Sequence, residues 1–528
     1  MMNKRKLERY EYLFQKMGPG QTKTTIEYIA EAFKCSDRHA RTLLNQMTDC
    51  QWLTWSPIRG RGHKGELHCL LEPMEACYQQ VDQAIQEERY QQAHQLLGFN
   101  RRDVASELKR YLECTSRQNE AAVYAPFHRK IESLHPHHAT ERTERHLIHE
   151  VFQTLVNVEG EKVVGNLAHA WKSEQDATRW TFYLCSSATF HDHTHVTAHD
   201  VADSLQGLVC LPYWRRLYDH VVQVTPTSQY SVVIILDSPD PHLPFLLSRS
   251  EASILSRQQL SQPKEQFQAI GSGPFKVSVH SDKLLRLVRH PIYSGTCARV
   301  EKIEMWIHPE WGANKKCAEN FFFLDGEEDT YTVSTNEIGD FFMLFNHAEL
   351  QSRSLKEALS ALFQHDTSPN LMWPFPVLFT YENNNENRSF ARRMIGVGPQ
   401  MGHVPHGREV AYGHTQPKQD MTIGGIRREG DRITSLLAFF KLYPYWQSTL
   451  SLSQYADLSS TLSQVRRSSS RADQARQLDH LLQRLNEQNV LVIFQSEDLT
   501  LTVPSRVQGV EINSIGWCDF SKLWVQPD

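Results

Sequence analysis

Two stretches near the start carry side chains able to grip a nucleic acid. In SDRHARTLLNQM (36–47), Arg38, Arg41, Thr42 and Asn45 recur at three- and four-residue spacing, with His39 on their flank. On a helix that spacing puts them on one face. Arg offers a guanine edge two hydrogen bonds, and Asn does the same for adenine. In RGRGHKG (59–65), Arg59, Arg61, His63 and Lys64 crowd a glycine-rich tip. Glycines let a turn approach a phosphate backbone closely, and the cations supply attraction. The same residues on a merely solvated helix and hairpin are the plainer alternative.

Other clusters imply less. His191, His193, His195 and His199 with Asp192, and the run HPHH (135–138), have metal-ligand residue types but no second cluster that sequence fixes near them. We expect no metal site. GVGPQMG (396–402) lacks the Lys of a phosphate-binding loop. There is no G-x-S-x-G elbow and no paired acid/base motif, so catalytic residues, cofactors and an enzymatic activity are not expected. Trp373, Trp446 and Trp517 are candidates to stack on a sugar or, more commonly, to fill a core. VRRSSSRAD, from Val465, reads as an exposed loop.

The elements that must position the basic residues are legible. Leu7, Tyr10, Phe14 and Met17 predict a helix over 3–17, which GPG breaks. Thr24 and Glu27 suggest a capping box for a second helix carrying Ile26, Ile29, Ala30 and Phe33. Ser36 is placed to cap a third, whose apolar face is Ala40, Leu43, Leu44 and Met47. WLTWSPI and ELHCLL then bracket the basic tip as two strands. Two close helices followed by a hairpin make a winged helix-turn-helix, with the basic tip as its wing. Asp49 faces outward and repels phosphate, so contacts belong to the front of the third helix.

Composition bounds the rest. Net charge is −5 over 528 residues, with 40% hydrophobic and 22% charged residues. Residues 1–70 hold 12 Lys and Arg against 7 Asp and Glu, a net of +5, leaving −10 for the remainder. An anion-facing end on an acidic body follows. Ten cysteines stand singly without a C-x-x-C pair, which fits a reducing compartment. The start has no apolar run of signal-peptide length, and no stretch reaches the roughly 20 apolar residues of a membrane span. The expectation is a cytoplasmic protein without a membrane partner. Pro73 to Glu113 has helical composition interrupted near Gly98, and from about residue 120 strands and helices mix. AAVYAPF reads as a strand, ERTERHLIHEVFQTLV as a helix, WTFYL as a strand, and Thr197 with Asp200 as a capping box.

The acidic body resembles the family-5 extracellular solute-binding proteins. Leu167, Ala168 and Trp171, then WTFYL and FHDHTHVTAHDV, follow that family's amino-terminal signature. IGSGPFKV followed by RHPIYSG is similar to a second family step, and Asn346 in MLFNHAELQSRSLKEALSALF to a third. With CSDRHARTLLNQM, WLTW before GRG, HPHHATERTERHLIHEVFQTL and SIGWCDFSKLW, the whole chain resembles SgrR-type transcriptional regulators. The resemblance implies a multidomain fold. A winged helix-turn-helix (α+β, 1–72) and a helical connector (73–119) precede a two-lobed α/β periplasmic-binding-protein-like domain of type II, family 5 (120–528). It implies double-stranded DNA as partner and a sensed small molecule, a sugar or sugar phosphate, in sugar-phosphate stress. A peptide ligand fits less well. Peptide binders hold the amine with an Asp near W-x-x-D-Y, whereas MTIGGIRREGDRITSLLAFF has no Trp and only Glu429 and Asp431 as rough equivalents. Arg427 and Arg428 suit an anion or are solvated. The shortened second lobe either binds ligand or serves as a scaffold, and ligand-binding residues stay unassigned.

The reading is a ligand-responsive DNA-binding regulator. Its alternative is a cytoplasmic solute-binding module whose helical front docks a protein partner.

Overall fold

The computed structural model describes residues 2–528, except 59–62, 119–120, 140, 264–265, 313–328, 336–339, 366–370, 372, 384, 398–402, 411–418, 427, 496–498 and 527–528. The chain opens with α1 (Met2–Met17), β1 (Gly20–Thr24), α2 (Ile26–Ala32), α3 (Asp37–Asp49), β2 (Leu53–Ser56) and β3 (Gly65–Cys69). The three strands form one antiparallel sheet in the order β1-β3-β2. Ser36 Oγ caps α3 by accepting from the His39 N–H, as the sequence predicts. The cap of α2 is Thr25, one residue beyond the expected Thr24. Thr24 is instead the last residue of β1, paired with Gly65.

Helices α4 (Pro73–Gln86), α5 (Tyr90–Leu97) and α6 (Val104–Gln118) follow. Their apolar faces join the same buried cluster as α1–α3 and the wing strands. Trp52 is central: Tyr10 Oη lies between its carbonyl and that of Leu71, and its indole N–H donates to Gln79 Oε1 at 2.7 Å. The cluster does not stop at α6. It continues into Ala122 and Tyr124 of β4 (Ala122–Phe127), and into Leu284 and Trp306.

Lobe 1 begins there. Buried α7 (Arg142–Val151) precedes the hairpin β5 (Val156–Glu159) and β6 (Lys162–Gly165). Next come β7 (Ala168–Glu174), β8 (Arg179–Leu184), α8 (Ala198–Cys210), β9 (Val221–Ser228) and β10 (Ser231–Leu236), a sheet in the order β7-β8-β10-β9. Trp180, Phe182 and Leu184 alternate onto the face that α8 covers with Val201, Leu205 and Leu208. Short α9 (Leu243–Leu247) and α10 (Arg257–Leu260) lead to β11 (Phe275–His280), β12 (Leu284–Arg289) and β13 (Lys302–Ile307). These strands and β4 form the sheet β11-β12-β13-β4, whose last pair is parallel.

The FHD and GSGP segments meet here. The His191 N–H donates to the Gly271 carbonyl, His191 Nδ1 accepts from the Gly271 N–H, and Nε2 donates to the Gly273 carbonyl at 3.1 Å. A Cβ on Gly271 would sit 1.9 Å from the Val151 carbonyl oxygen, so only glycine allows this approach. His191 is thus a structural clamp.

β14 (Thr330–Thr335) pairs antiparallel with β20 (Leu499–Pro504), where the chain leaves lobe 1 and later returns. Between them lies lobe 2. Its sheet, β17-β16-β18-β15-β19, contains β15 (Asp340–Phe345), β16 (Leu378–Glu382), β17 (His406–Val410), β18 (Met421–Ile426) and β19 (Leu491–Gln495). Phe342 and Leu344 of β15 join one core, beneath α13 (Arg432–Leu442), α14 (Trp446–Thr449), α15 (Leu452–Arg467) and α16 (Arg471–Glu487). Met343 and Phe345 join another, beneath α11 (Arg353–His365) and α12 (Asn385–Val397). This lobe sheet is covered on both faces, as the apolar run in FFMLF requires.

VRRSSSRAD is not an exposed loop. α15 runs through Arg467, Val465 is fully buried, and only 468–470 turn between helices. Trp373, Trp446 and Trp517 are all core residues. The tail segment SIGWCDFSKLW packs on α7, where the Trp517 ring stacks on His146 at 5.0 Å. Among the described residues no helix is long and apolar enough to cross a membrane, and no group of three His, Cys, Asp or Glu could hold a metal ion.

Candidate nucleic-acid interface and the interlobe contact

α3 presents two unlike faces. Ala40, Leu43, Leu44 and Met47 are buried, while Arg38, His39, Arg41, Thr42 and Asn45 are exposed. Thr42 Oγ1 donates to the Arg38 carbonyl at 3.1 Å, which holds its hydroxyl near the helix backbone. His39 Nε2 is 3.1 Å from Arg9 Nη1 of α1. A guanidinium only donates, so Nε2 accepts and the ring's other proton sits on Nδ1. That leaves Nδ1–H as a donor for an outside acceptor.

In the wing, His63 and Lys64 are exposed at the entrance to β3, beside the two-stranded register Ser56↔Glu66. Arg59 and Arg61 lie outside the described residues. Asp49 is exposed at the far end of α3. The edge strand β1, which sequence reasoning missed, adds Lys23 next to Glu66 at 4.0 Å.

Lobe 1 and lobe 2 are joined by charge. Glu429, between β18 and α13, is 1% exposed and reaches into lobe 1. Its Oε1 accepts from the Ser250 N–H at 2.5 Å and contacts His149 Nε2 at 2.9 Å. Its Oε2 pairs with Arg145 Nη2 and lies 3.5 Å from Arg249 Nη2. Glu251 balances Arg249 through Nε at 2.5 Å, and Tyr218 Oη donates to the same carboxylate oxygen. Burial, then the nearby Arg145 charge, pushes the His149 pKa down to about 4, so the ring is neutral and Nε2–H donates to Glu429. At the rim, Asp219 takes Lys441 at 2.8 Å and Arg466 at 2.6 Å, and Arg471 lies over the Phe245 ring.

Sequence comparison brings Glu429 forward only as a rough equivalent of an amine-binding acid; its partners are missed. No local signal marks them: Arg142, Arg145, His146, His149 and Glu150 share one face of RTERHLIHEV, which reads as a solvent face, yet Arg145, His146 and Glu150 are buried. Asp431 caps α13 and pairs with Arg471, and Arg428 pairs with Asp340 at 3.0 Å. Arg427 lies outside the described residues.

Residues 5–119 match the family model "Sugar transport-related sRNA regulator N-term", and residues 162–319 match "Bacterial extracellular solute-binding proteins, family 5 Middle". The "HTH-type transcriptional regulator SgrR" of Yersinia pestis (strain Pestoides F) is 28% identical over 354 residues, 67% of this chain and 63% of that relative. Its counterpart in Yersinia enterocolitica is 25% identical over 573 aligned positions, covering 100% of both chains. Among solved structures, the periplasmic binding protein DppA from Helicobacter pylori in complex with peptide STSA superposes with a TM-score of 0.62 at 14% identity, over 78% of this chain and 100% of that one. NikA from Brucella suis in complex with Fe(III)-EDTA gives 0.62 at 15% identity, over 77% and 100%. These neighbours share the fold of both lobes. With an SgrR amino-terminal domain joined to a family-5 solute-binding fold, the chain is similar over its whole length to the HTH-type transcriptional regulators SgrR.

Proposed function

We propose that the chain reads double-stranded DNA through α3 and the wing and adjusts that reading to a small molecule held by its solute-binding lobes. The observation that carries this is the division of α3: one face is core, and the other offers Arg38, His39, Arg41, Thr42 and Asn45 to solvent. Those five residues enter the major groove, while Arg59, Arg61, His63 and Lys64 meet phosphate or the minor groove. The ligand is a sugar or sugar phosphate in preference to a peptide, because Asp431 is committed to capping α13 and to Arg471. The ligand shifts the DNA-active population by its differential affinity for two lobe arrangements. Acting on DNA places the protein in the cytoplasm, as a non-enzymatic regulator.

The test is a fluorescence-anisotropy titration against DNA from upstream of the protein's own gene and against scrambled DNA, at two salt concentrations. Tighter, salt-weakened binding to the native DNA supports the reading. No binding to either DNA would leave a solute-binding module with a protein partner. Arg41→Ala is expected to cost about 1–3 kcal/mol on the native sequence and little on scrambled DNA. Equal losses on both would reassign Arg41 to phosphate. Lys64→Ala should weaken all sequences alike and reduce the salt slope by about one. An unchanged slope would remove the wing from the interface.

A further inference from the structure

We propose that Arg145, Arg249 and the Ser250 N–H form an anion site in lobe 1 that the chain fills with its own Glu429, and that the phosphate or carboxylate of a ligand binds there by replacing it. The proposal rests on the ligand-sensing reading above and gives it a place and a chemical class.

The geometry is that of a receptor. Two guanidinium groups, the neutral His149 ring and a main-chain N–H converge on one carboxylate, which arrives from the other lobe on a short loop. The loop is built for this approach: Gly430 has φ +69°, and its N–H donates to Ser514 Oγ at 3.0 Å. The Glu429 N–H donates to Ser435 Oγ at 3.0 Å, which ties the carboxylate's own backbone to α13. Arg249 is 2% exposed, yet its Nη1 has no hydrogen-bond partner among the described residues. An incoming group with more acceptor oxygens than a carboxylate, such as a phosphate monoester, gains a donor there.

Charge balance selects the ligand. Arg145 and Arg249 face Glu429 and Glu251, with His149 neutral, so the buried group is compensated only while Glu429 is in place. Withdrawing Glu429 leaves one buried positive charge without a counter-ion, which is strongly unfavourable. A neutral sugar cannot repair that loss, whereas an anion can. Binding and release of lobe 2 therefore become one event, and the differential affinity that ligand sensing requires follows from electrostatics.

The experiment uses the full chain, calorimetry, and inorganic phosphate and a hexose 6-phosphate as probes, with the free hexose as control. Glu429→Gln keeps the shape and removes the competing charge, so phosphate should bind at least about tenfold tighter than to the wild type, a change of about 1.4 kcal/mol. Adding Arg249→Met should abolish the gain, and the free hexose should bind no tighter to Glu429→Gln. In the wild type, saturating hexose 6-phosphate should release hydrogen-exchange protection at 429–435 and in α7, a readout that needs no variant. Equal phosphate affinity in wild type and Glu429→Gln, retention of binding after Arg249→Met, or unchanged protection at 429–435 would each overturn the site. Hexose 6-phosphate binding that changes DNA affinity yet survives Arg249→Met would overturn the site alone and leave the regulator standing. Loss of DNA binding in the wild type would instead remove the regulator reading.

Discussion

Trp306→Ala is expected to destabilise the chain by about 3–5 kcal/mol, the range for truncating a buried Trp. It should also uncouple the DNA-binding domain from the sensor. Trp306 belongs to β13 of lobe 1, but its ring is buried against α5 of the amino-terminal domain. It stacks on His94 at 5.8 Å and meets the edge of Tyr90 at 6.4 Å. Its indole N–H donates to Glu304 Oε2 at 2.9 Å, and Glu304 also takes Arg286 and Lys302. Removing the ring therefore opens a cavity at the junction and takes a donor from a buried carboxylate. Trp306→Phe separates the two effects, because it fills much of the space and loses only the hydrogen bond, about 1–3 kcal/mol. The expected result in urea unfolding is a lower midpoint, larger for Ala than for Phe. In anisotropy, Trp306→Ala should keep its DNA affinity, since the ring packs on Tyr90 and His94 of α5, while ligand no longer alters that affinity. A ligand response of wild-type size in Trp306→Ala would mean the signal travels by another route.

That junction was not legible in the sequence, and the reason is physical. Periodicity identifies the face a helix buries but not its partner. The apolar positions of α1, α3 and the wing strands follow their repeat, so these elements and the Ser36 cap can be read directly. Trp306 lies more than 200 residues from Tyr90 and His94, and no local pattern pairs it with them. β1 was missed because GQTKT has no apolar alternation; it is held by main-chain pairing to β3. The α2 cap was misplaced by one residue because two threonines stand in a row, and only Thr25 is positioned to accept from the Tyr28 N–H. The exposed face of α3 was legible because it is local. The Arg145–Glu429 contact was not, because it depends on how two lobes meet. VRRSSSRAD reads as a loop by composition, yet Arg466 and Arg471 are drawn into lobe contacts by Asp219 and Asp431.

Acid should unfold this chain well before its carboxylates are titrated. Burial lowers eight of the described histidines: His94 and His191 down to about 3, His137 and His149 down to about 4, and His146, His242, His290 and His308 in the same direction. Burial is the leading cause in each case. In the unfolded chain they return to about 6.5. Between those values the unfolded state binds more protons, so stability is complete above about pH 6.5 and falls as pH drops toward 4. Each of the first four loses about 1.4 kcal/mol per pH unit in that window, so together they remove roughly 5 kcal/mol by pH 5.5. That is comparable to the whole stability of many proteins. Glu150 opposes the trend: burial raises its pKa, so the folded state takes up the extra proton as pH falls from that raised value toward the ordinary 4.5, a gain that offsets part of the histidine loss. Asp240 and Glu251, whose pKa values His220 and Arg249 lower, add to acid loss only below the ordinary carboxylate range. The expected result is a steep fall of the urea midpoint between pH 7.5 and 5.5. His94→Phe keeps an aromatic ring beside Trp306 and cannot take a proton, so it should remove that residue's own share of the fall, about 1.4 kcal/mol at pH 5.5. A midpoint independent of pH across this range would show that the buried rings are protonated in the folded chain, which the neutral tautomer of His191, accepting at Nδ1 and donating at Nε2, argues against.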